Sequence, residues 1–519
     1  MTAAAAPVLG AVPHGDAGTS FAVWAPAARS VAVRAAGRDH ALRARSGGFF
    51  EATLPLPADT DYRFVLDGGR ALPDPCSRRQ PFGIDGPSRV HDPGSFAWTD
   101  SDRPGLDLDT LVVYELHVGA FTAAGTFDGV VEHLAALRRL GVTAIELMPV
   151  ATFPGSRNWG YDGAYASAPH EGYGGPDGLG RLVDAAHRAG LGVILDVVYN
   201  HVGPGADLRA FGPYFTAART TFWGDALDFG QHGVREWAIQ NAELWVRDYH
   251  VDGLRLDATH AIFDDSQPHV LAELAERVHA VDPRTLVIAE METGDLRPIS
   301  DWGHDAQWAD EFHHVLHVLL TGEREGYYAE YEPSVTQLAE QLRREPSNRL
   351  VFCSQNHDQV GNRAFGDRPA SGELRLRAAA LLFAPQVPLL FMGEEYGERR
   401  GFRFFTDHTD PAIAEATRAG RRREFERFTS FAAEDVPDPQ DVATFAGSKL
   451  DRAGSDGTLL ELYRKLLALR SSLPRAVEVA PDEAHRFLRL RRGDHELSLN
   501  FSEHEHDGVP PRDIRLRSS

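Results

Sequence analysis

The sequence predicts an α/β fold: a (β/α)8 barrel with an N-terminal β-sandwich and a short C-terminal β domain. Three observations predict it. Eight short apolar runs recur in the middle of the chain, most of them separated by amphipathic helical segments. The first 95 or so residues read as strands broken by Gly, Pro and Asp. After Pro474 the chain returns to short alternating strands.

In the first region FAVWAP (21–26), SVAVRA (30–35), FEATLP (50–55) and YRFVLDG (62–68) alternate or run β-branched between breakers, which favours a small sandwich. A Pro/Gly-rich connector runs from Leu72 to about Trp98. The barrel candidates follow: LVVYELHVG (111–119), AIELMPV (144–150), GVILDVVYN (192–200), GLRLDA (253–258), LVIAE (286–290), AQWADEF (306–312), RLVFCSQN (349–356) and PLLFMGEE (388–395). Helical spacing appears at 127–140, 177–189, 233–248, 268–280 and 373–384. Strands buried on both faces and separated by helices argue for a parallel sheet, and eight such units for a closed barrel. Residues 459–470 read as the closing helix, followed by strands FLRLRRG (487–493) and HELSLNFS (495–502) and a polar tail. The predicted domains are therefore 1–95, 96–475 and 476–519.

At 519 residues the chain is long enough for two or three domains. Its net charge of −22 repels phosphate backbones and anionic membranes, which disfavours nucleic acid and suits a neutral substrate. The two cysteines, Cys76 and Cys353, suggest neither a disulfide framework nor a zinc site. The stretch MTAAAAPVLGAVPHGD lacks the pattern of a leader, and no run approaches a membrane span, so a soluble cytoplasmic protein is expected. The run Arg421-Arg422-Arg423, beside Glu424 and Glu426, reads as a solvated helix face.

In such a barrel the chemistry collects at the C-terminal strand ends. Those ends carry Asp196, Asn200 and His201; Arg255 and Asp257, with His260 beyond; Glu290; Asn356, His357 and Asp358; and Glu394 and Glu395. Arg255 and Asp257 are two apart on a strand and share a face. A cation there favours the carboxylate form that a nucleophile needs. Glu290 follows Val287, Ile288 and Ala289, an apolar setting that favours a retained proton. One ionised and one protonated carboxyl are what glycoside hydrolysis requires. The plain alternative is a salt bridge that closes the barrel.

These residues resemble a known family. DVVYNH (196–201), GLRLDA (253–258), the Glu of VIAE (287–290) and QNHD (355–358) look like the four short regions of the α-amylase family, in the right order. The resemblance implies a retaining α-glucan enzyme with Asp257 as nucleophile, Glu290 as general acid/base and Asp358 as a third carboxylate that holds sugar hydroxyls. It implies that Tyr161, His201, Arg255 and His357 line the sugar subsite on the non-reducing side, with Asp196 supporting Arg255. The N-terminal region with PDPCSRRQPFGIDGPSRV (73–90) resembles the branching, debranching and trehalohydrolase group, and LDATHAIFDDS (256–266), DAQWADEFHHVLHVLLTGEREGYY (305–328) and SQNHDQVGNRAFGDR (354–368) look like the malto-oligosyltrehalose trehalohydrolases.

That group implies a maltooligosyl trehalose or α-1,4-glucan substrate, no cofactor, and a companion synthase that makes the capped substrate. A compact polar disaccharide needs oriented donors and acceptors. Candidates are His260, Asp264 and Asp265; Asp310, Glu311, His313 and His314; and Gln359, Asn362 and Arg363. The His313–His314 pair lacks acidic or Cys partners at ligand spacing, so no metal is expected. Asn200 resembles a calcium-site residue of some amylases, but nothing else argues for calcium. A branching or debranching enzyme on the same scaffold, and a non-catalytic glucan-binding barrel, stay open as alternatives.

Overall fold

The computed structural model describes residues 6–518 except 102, 104, 293 and 426–434. Residues 1–5, which open the stretch read for a leader, and Glu426 lie outside the described residues.

Two antiparallel sheets form the N-terminal sandwich. One pairs Gly10–Pro13, Thr19–Trp24, Phe49–Leu54 and Arg43–Ala44; the other pairs Arg38–Ala41, Val31–Ala35, Asp61–Leu66 and Ala71–Leu72, with Ser88–Arg89 on Asp61–Leu66. Phe21, Val23, Val31, Val33, Tyr62 and Phe64 are buried between them, at the alternate positions a sandwich face requires. The connector carries the buried Asp74, whose carboxylate accepts from Tyr62 Oη at 2.5 Å. Arg78 pairs with Asp248 at 3.0 Å and so ties the sandwich to the barrel wall.

Eight parallel strands close a barrel in sequence order: β1 (Val113–Leu116), β2 (Ala144–Leu147), β3 (Gly192–Val197), β4 (Gly253–Leu256), β5 (Leu286–Ala289), β6 (Ala306–Trp308), β7 (Leu350–Cys353) and β8 (Val387–Phe391). Closure is made by β8 on β1, with Val113 opposite Leu389. The helix expected at 127–140 is two pieces, α1 (Phe127–Val131) and α2 (Leu134–Leu140), because the hydrogen bonding tightens at Glu132–His133, where His133 N bonds to Val130 O three residues back although both residues keep right-handed φ/ψ. The larger outer helices are α3 (Gly175–Arg188), α4 (His232–Tyr249), α5 (Val270–Val281), α6 (Glu311–Thr321), α7 (Val335–Leu342), α8 (Leu374–Phe383), α9 (Pro411–Phe425) and α10 (Gly457–Arg470). In α3, Leu179, Leu182, Val183 and Ala186 form the buried stripe, and Pro176 sits in the first turn, where its missing N–H costs nothing. At the start of α4, a Cβ on Gly233 would collide with the Trp24 indole, so this position needs glycine for the sandwich to reach the barrel.

The C-terminal sheet is a four-stranded antiparallel meander, β9 (Glu478–Asp482), β10 (Phe487–Arg492), β11 (His495–Asn500) and β12 (Ile514–Ser518). The polar tail read from the sequence therefore contains an edge strand. Its register pairs Leu516 with Leu497 and Ile514 with Leu499, which supplies the apolar partners the tail lacks by itself. The arginine run is corrected at one residue. Arg421 is buried, donates to Gly361 O and Arg363 O, and lies over Phe425 at 4.6 Å; Arg422 and Arg423 are exposed.

Candidate active site

The barrel interior is apolar at one level and charged at the next. Val113, Ala144, Ile194 and Ile288 belong to an apolar cluster. Two residues further along their strands, β1, β2 and β3 carry Glu115, Glu146 and Asp196, and β4 carries Arg255, all buried. The strand period of two puts each on the same inward face. Asp196 stands opposite Arg255 in the β3–β4 register.

Arg255 organises this level. Its Nη1 donates to both oxygens of Asp196 at 2.8 and 2.7 Å and to Asp257 Oδ1 at 2.9 Å, while Nη2 donates to Glu290 Oε2 at 2.7 Å. The guanidinium lies over the Trp308 ring at 4.2 Å. One fully buried cation thus holds three carboxylates, two of them at strand ends facing the cleft. The chain turns sharply after Asp257: Ala258 has φ 40°, a strained left-handed value for a residue with a Cβ. That turn aims the Ala258 N–H at Glu290 Oε2, 2.8 Å away. The expected apolar setting of Glu290 is therefore corrected. Apolar residues precede it, but the carboxyl itself meets a guanidinium and an amide.

Asn200 Nδ2 donates to Asp257 Oδ2 at 2.6 Å and to Asp257 O at 2.9 Å. Its amide oxygen faces His201 Nδ1, and His201 Nε2 meets Tyr161 O at 2.8 Å. Tyr161 Oη donates to Asp196 at 2.6 Å and contacts His357 Nε2 at 2.7 Å. His357 is held from behind by Glu115, with Nδ1 at 2.5 Å from Oε1. Its Nε2 lies 3.4 Å from Asp358, and Asn362 donates to Asp358 at 3.1 Å. Burial lowers the His357 pKa, but Asp358 and Glu115 more than reverse this and raise it to about 10, so the imidazole is a cation at neutral pH. Burial pushes Asp196 up to about 7 and Glu146 well above the carboxylate range.

The sequence-chosen residues divide on this geometry. Asp257, Glu290, Asp358, Tyr161, His201, Arg255 and His357 form one connected network, with Asp196 behind it. Asp310 lies at the start of α6, half-buried; burial, then the charges of Glu290 and Asp358, raise it to about 8. His260 is exposed just past β4. Gln359 and Arg363 line a cavity of about 210 Å³ with His317, Glu323 and Asp367, and Arg363 pairs with Asp367 and Glu323 at 2.7 and 3.0 Å. His313 spends both ring nitrogens, on Ser354 O at 2.9 Å and Tyr328 Oη at 3.1 Å, which leaves none for a sugar. Asp264 is a buried partner of Arg235 at 2.5 Å that also takes the Val270 N–H at the start of α5. Asp265 pairs with Arg219 on the surface. Glu311 pairs with Arg344 at 2.9 Å. His314 meets Tyr331 Oη at 3.2 Å. Glu394 and Glu395 bond to Tyr463 and Tyr114, so they brace the wall.

Sequence reasoning missed three contributors. Glu115 and Glu146 sit inside apolar runs that read as wholly buried strands. Trp223 lies at the tip of a hairpin, Phe215–Thr221 with Gly224–Leu227, and stacks on His201 at 4.4 Å and 8°. Phe222 and Trp223 are 96% and 47% exposed, which marks an aromatic surface beside the cleft. The FWG tripeptide directly after the Thr-containing run 215–221 was the available signal.

Comparison with known proteins bears on this arrangement. The alpha amylase catalytic-domain family matches residues 93–211, and carbohydrate-binding module 48 (isoamylase N-terminal domain) matches residues 8–79. A malto-oligosyltrehalose trehalohydrolase of Deinococcus radiodurans is 45% identical over 502 residues, 90% of this chain and 83% of that protein. One of Rhizobium sp. (strain M-11) is 43% identical, covering 93% of this chain and 91% of that protein. A solved Salmonella typhimurium structure assigned as an alpha amylase superposes with a TM-score of 0.90 at 34% identity, covering 98% of this chain and 99% of that one.

Proposed function

The chain belongs to the α-amylase family and, within it, to the malto-oligosyltrehalose trehalohydrolases, and from that membership we propose that it hydrolyses the α-1,4 bond next to the terminal trehalose of maltooligosyl trehalose, releasing trehalose and a maltooligosaccharide. The observation that carries the proposal is the Arg255 fork, which holds Asp257 and Glu290 together at one rim of the barrel.

Asp257 attacks the anomeric carbon on the side of the chain that stays behind. Asn200 and Arg255 fix its two oxygens, so the attacking geometry is set before substrate arrives. Glu290, its Oε2 held by Arg255 and Ala258, carries its proton on Oε1 and gives it to the oxygen that leaves with trehalose, then takes a proton from the water that opens the glycosyl-enzyme. Two displacements return the original configuration. Asp358, beside the cationic His357, accepts sugar hydroxyls as positive charge grows on the ring. Tyr161 and His357 supply one wall of that subsite and Trp223 another.

Asp310, His260, Gln359 and Arg363 are the candidates for the leaving trehalose. A pKa near 8 makes Asp310 a carboxylic acid at neutral pH, able to donate to a sugar oxygen as well as accept from a hydroxyl. His313 and Asp264 are left out of this set because their polar atoms are already engaged. The division into 1–95, 96–475 and 476–519, a cytoplasmic location, and a companion synthase that makes the capped substrate complete the proposal. No helix among the described residues is long and apolar enough to cross a membrane.

The test is product analysis. Maltotriosyl-trehalose and amylose are incubated separately with the protein, and the sugars are resolved by chromatography. Free trehalose with maltotriose from the first, and little change in the second, is expected. New α-1,6 branches in amylose would assign the chain to the branching reaction, the activity named for a Corynebacterium jeikeium relative 30% identical over 74% of this chain. No change in either would leave a binding protein.

A further inference from the structure

Far from the cleft, at one end of the C-terminal sheet, three metal-ligating side chains converge. Asp482 ends β9, His485 follows in the single turn that leads to β10, and His506 lies in the loop between β11 and β12. His485 Nδ1 is 2.8 Å from Asp482 Oδ2, and His506 Nε2 is 3.8 Å from the same oxygen. Each offers one ligand atom, all within 4.8 Å of one another. Ligands about 2.0–2.1 Å from a tetrahedral zinc stand about 3.3 Å apart, so these separations straddle the required value.

From this geometry we propose that Asp482, His485 and His506 form a binding site for a divalent transition cation of the zinc type. Two imidazoles and one carboxylate suit Zn²⁺ and its neighbours rather than Ca²⁺ or Mg²⁺, which prefer all-oxygen cages. The protein supplies three ligands, and the fourth position opens on water. A cavity of about 560 Å³ lined by His485, His504 and His506 lies alongside, so water has access.

The supports are already built. The Asp482 side chain also accepts from His485 N, which fixes the turn between the first two ligands. The His506 backbone is pinned by a reciprocal bridge to Val509, and its ring packs on Phe487 at 4.8 Å. The two imidazoles now stack at 4.3 Å and 22°. His485 is the more exposed of the two, and its Nδ1 already meets Asp482 Oδ2, the oxygen that His506 Nε2 also faces. A bound ion would then add a second tie between the β9–β10 turn and the long loop before β12, beside the backbone bond from Phe501 N to Arg486 O at 2.9 Å.

The experiment is a competition titration of chelator-treated full-length protein with ZnCl₂ against a chromophoric indicator, repeated on His485→Ala, His506→Ala and His504→Ala. Far-UV circular dichroism checks that each variant is folded. One saturable equivalent is expected in the parent and in His504→Ala, with affinity falling at least about tenfold in each of the other two. Co²⁺ in place of Zn²⁺ is expected to give visible bands of a tetrahedral or five-coordinate site, lost in the same two variants. No saturable zinc equivalent, or one that persists unchanged in His485→Ala and His506→Ala, overturns the proposal. So does binding lost equally in His504→Ala, which would make it non-specific histidine capture.

Discussion

Glu290→Gln separates chemistry from structure in this site. Glu290 Oε2 accepts from Arg255 Nη2 and Ala258 N at 2.7 and 2.8 Å. The glutamine amide oxygen is an acceptor of the same reach and shape, so both bonds survive as neutral-acceptor bonds. The Ala258 bond falls from about 1.5–3 to about 0.5–1.5 kcal/mol and the Arg255 bond by less, because its donor stays charged, so the total loss is at most about 2–3 kcal/mol, which a folded protein with about 5–15 kcal/mol to spare survives. The catalytic loss is larger. Glutamine cannot give a proton, and general acid–base catalysis contributes about 10²–10⁴-fold, equivalent to about 3–5 kcal/mol of barrier. The assay is initial-rate release of trehalose from maltotriosyl-trehalose, with thermal melts in parallel. A second donor, α-maltosyl fluoride, sharpens the test. Fluoride leaves without help from an acid, so the variant is expected to glycosylate Asp257 on this donor and stall there, visible by intact mass. Turnover of maltotriosyl-trehalose within about tenfold of the parent would refute the reasoning. So would equal loss of the glycosylation step on the fluoride.

Asp257→Ala is expected to lower turnover on both donors by orders of magnitude, with no glycosyl-enzyme by mass spectrometry; detection of that intermediate would move the nucleophile elsewhere. Trp223→Ala removes a half-exposed ring that stacks on His201, so KM is expected to rise about three- to tenfold while the melting temperature stays put; an unchanged KM would make the hairpin a bystander. Glu115→Gln removes one of the two anions that raise His357 to about 10, so an alkaline loss of kcat/KM is expected to move toward neutral pH, and an unmoved profile up to pH 10 would count against a cationic His357. Buried His187 sits between Asp100 and Asp252, both at 2.8 Å; burial lowers its pKa, and the two carboxylates raise it beyond that. Its contribution to stability is therefore full below about pH 6.5 and lost as pH rises through its higher folded value. Asp100 runs the opposite way: burial raises its pKa, His250 and His187 lower it further, and its contribution is lost as pH falls through that depressed value. Denaturant unfolding between pH 6 and 9 is expected to show the alkaline decline, flattened in His187→Gln.

The eight barrel strands, the sandwich and the long helices were legible because side-chain direction repeats locally, every two residues in a strand and every 3.6 in a helix. That local period suffices to choose an inward face, and it put Arg255 and Asp257 together before any fold was known. It fails where the deciding partner is remote. Glu115 and Glu146 were hidden because a strand buried on both faces gives no alternation to interrupt. The strand Ile514–Ser518 read as a tail because its apolar partners, Leu497 and Leu499, belong to another strand. His313, Asp264 and Glu311 looked available for sugar because the atoms that occupy them, Tyr328 Oη, Arg235 and Arg344, lie 15 to 33 residues away. The sequence by itself determined which residue types line the rim and which strand ends carry them. Only the tertiary structure decided which charges meet, because barrel closure brings Glu115 to His357, 242 residues apart, and Tyr161 to both His357 and Asp196. Such pairings are set by strand register and by exclusion of water, and neither is a property of a short stretch of chain.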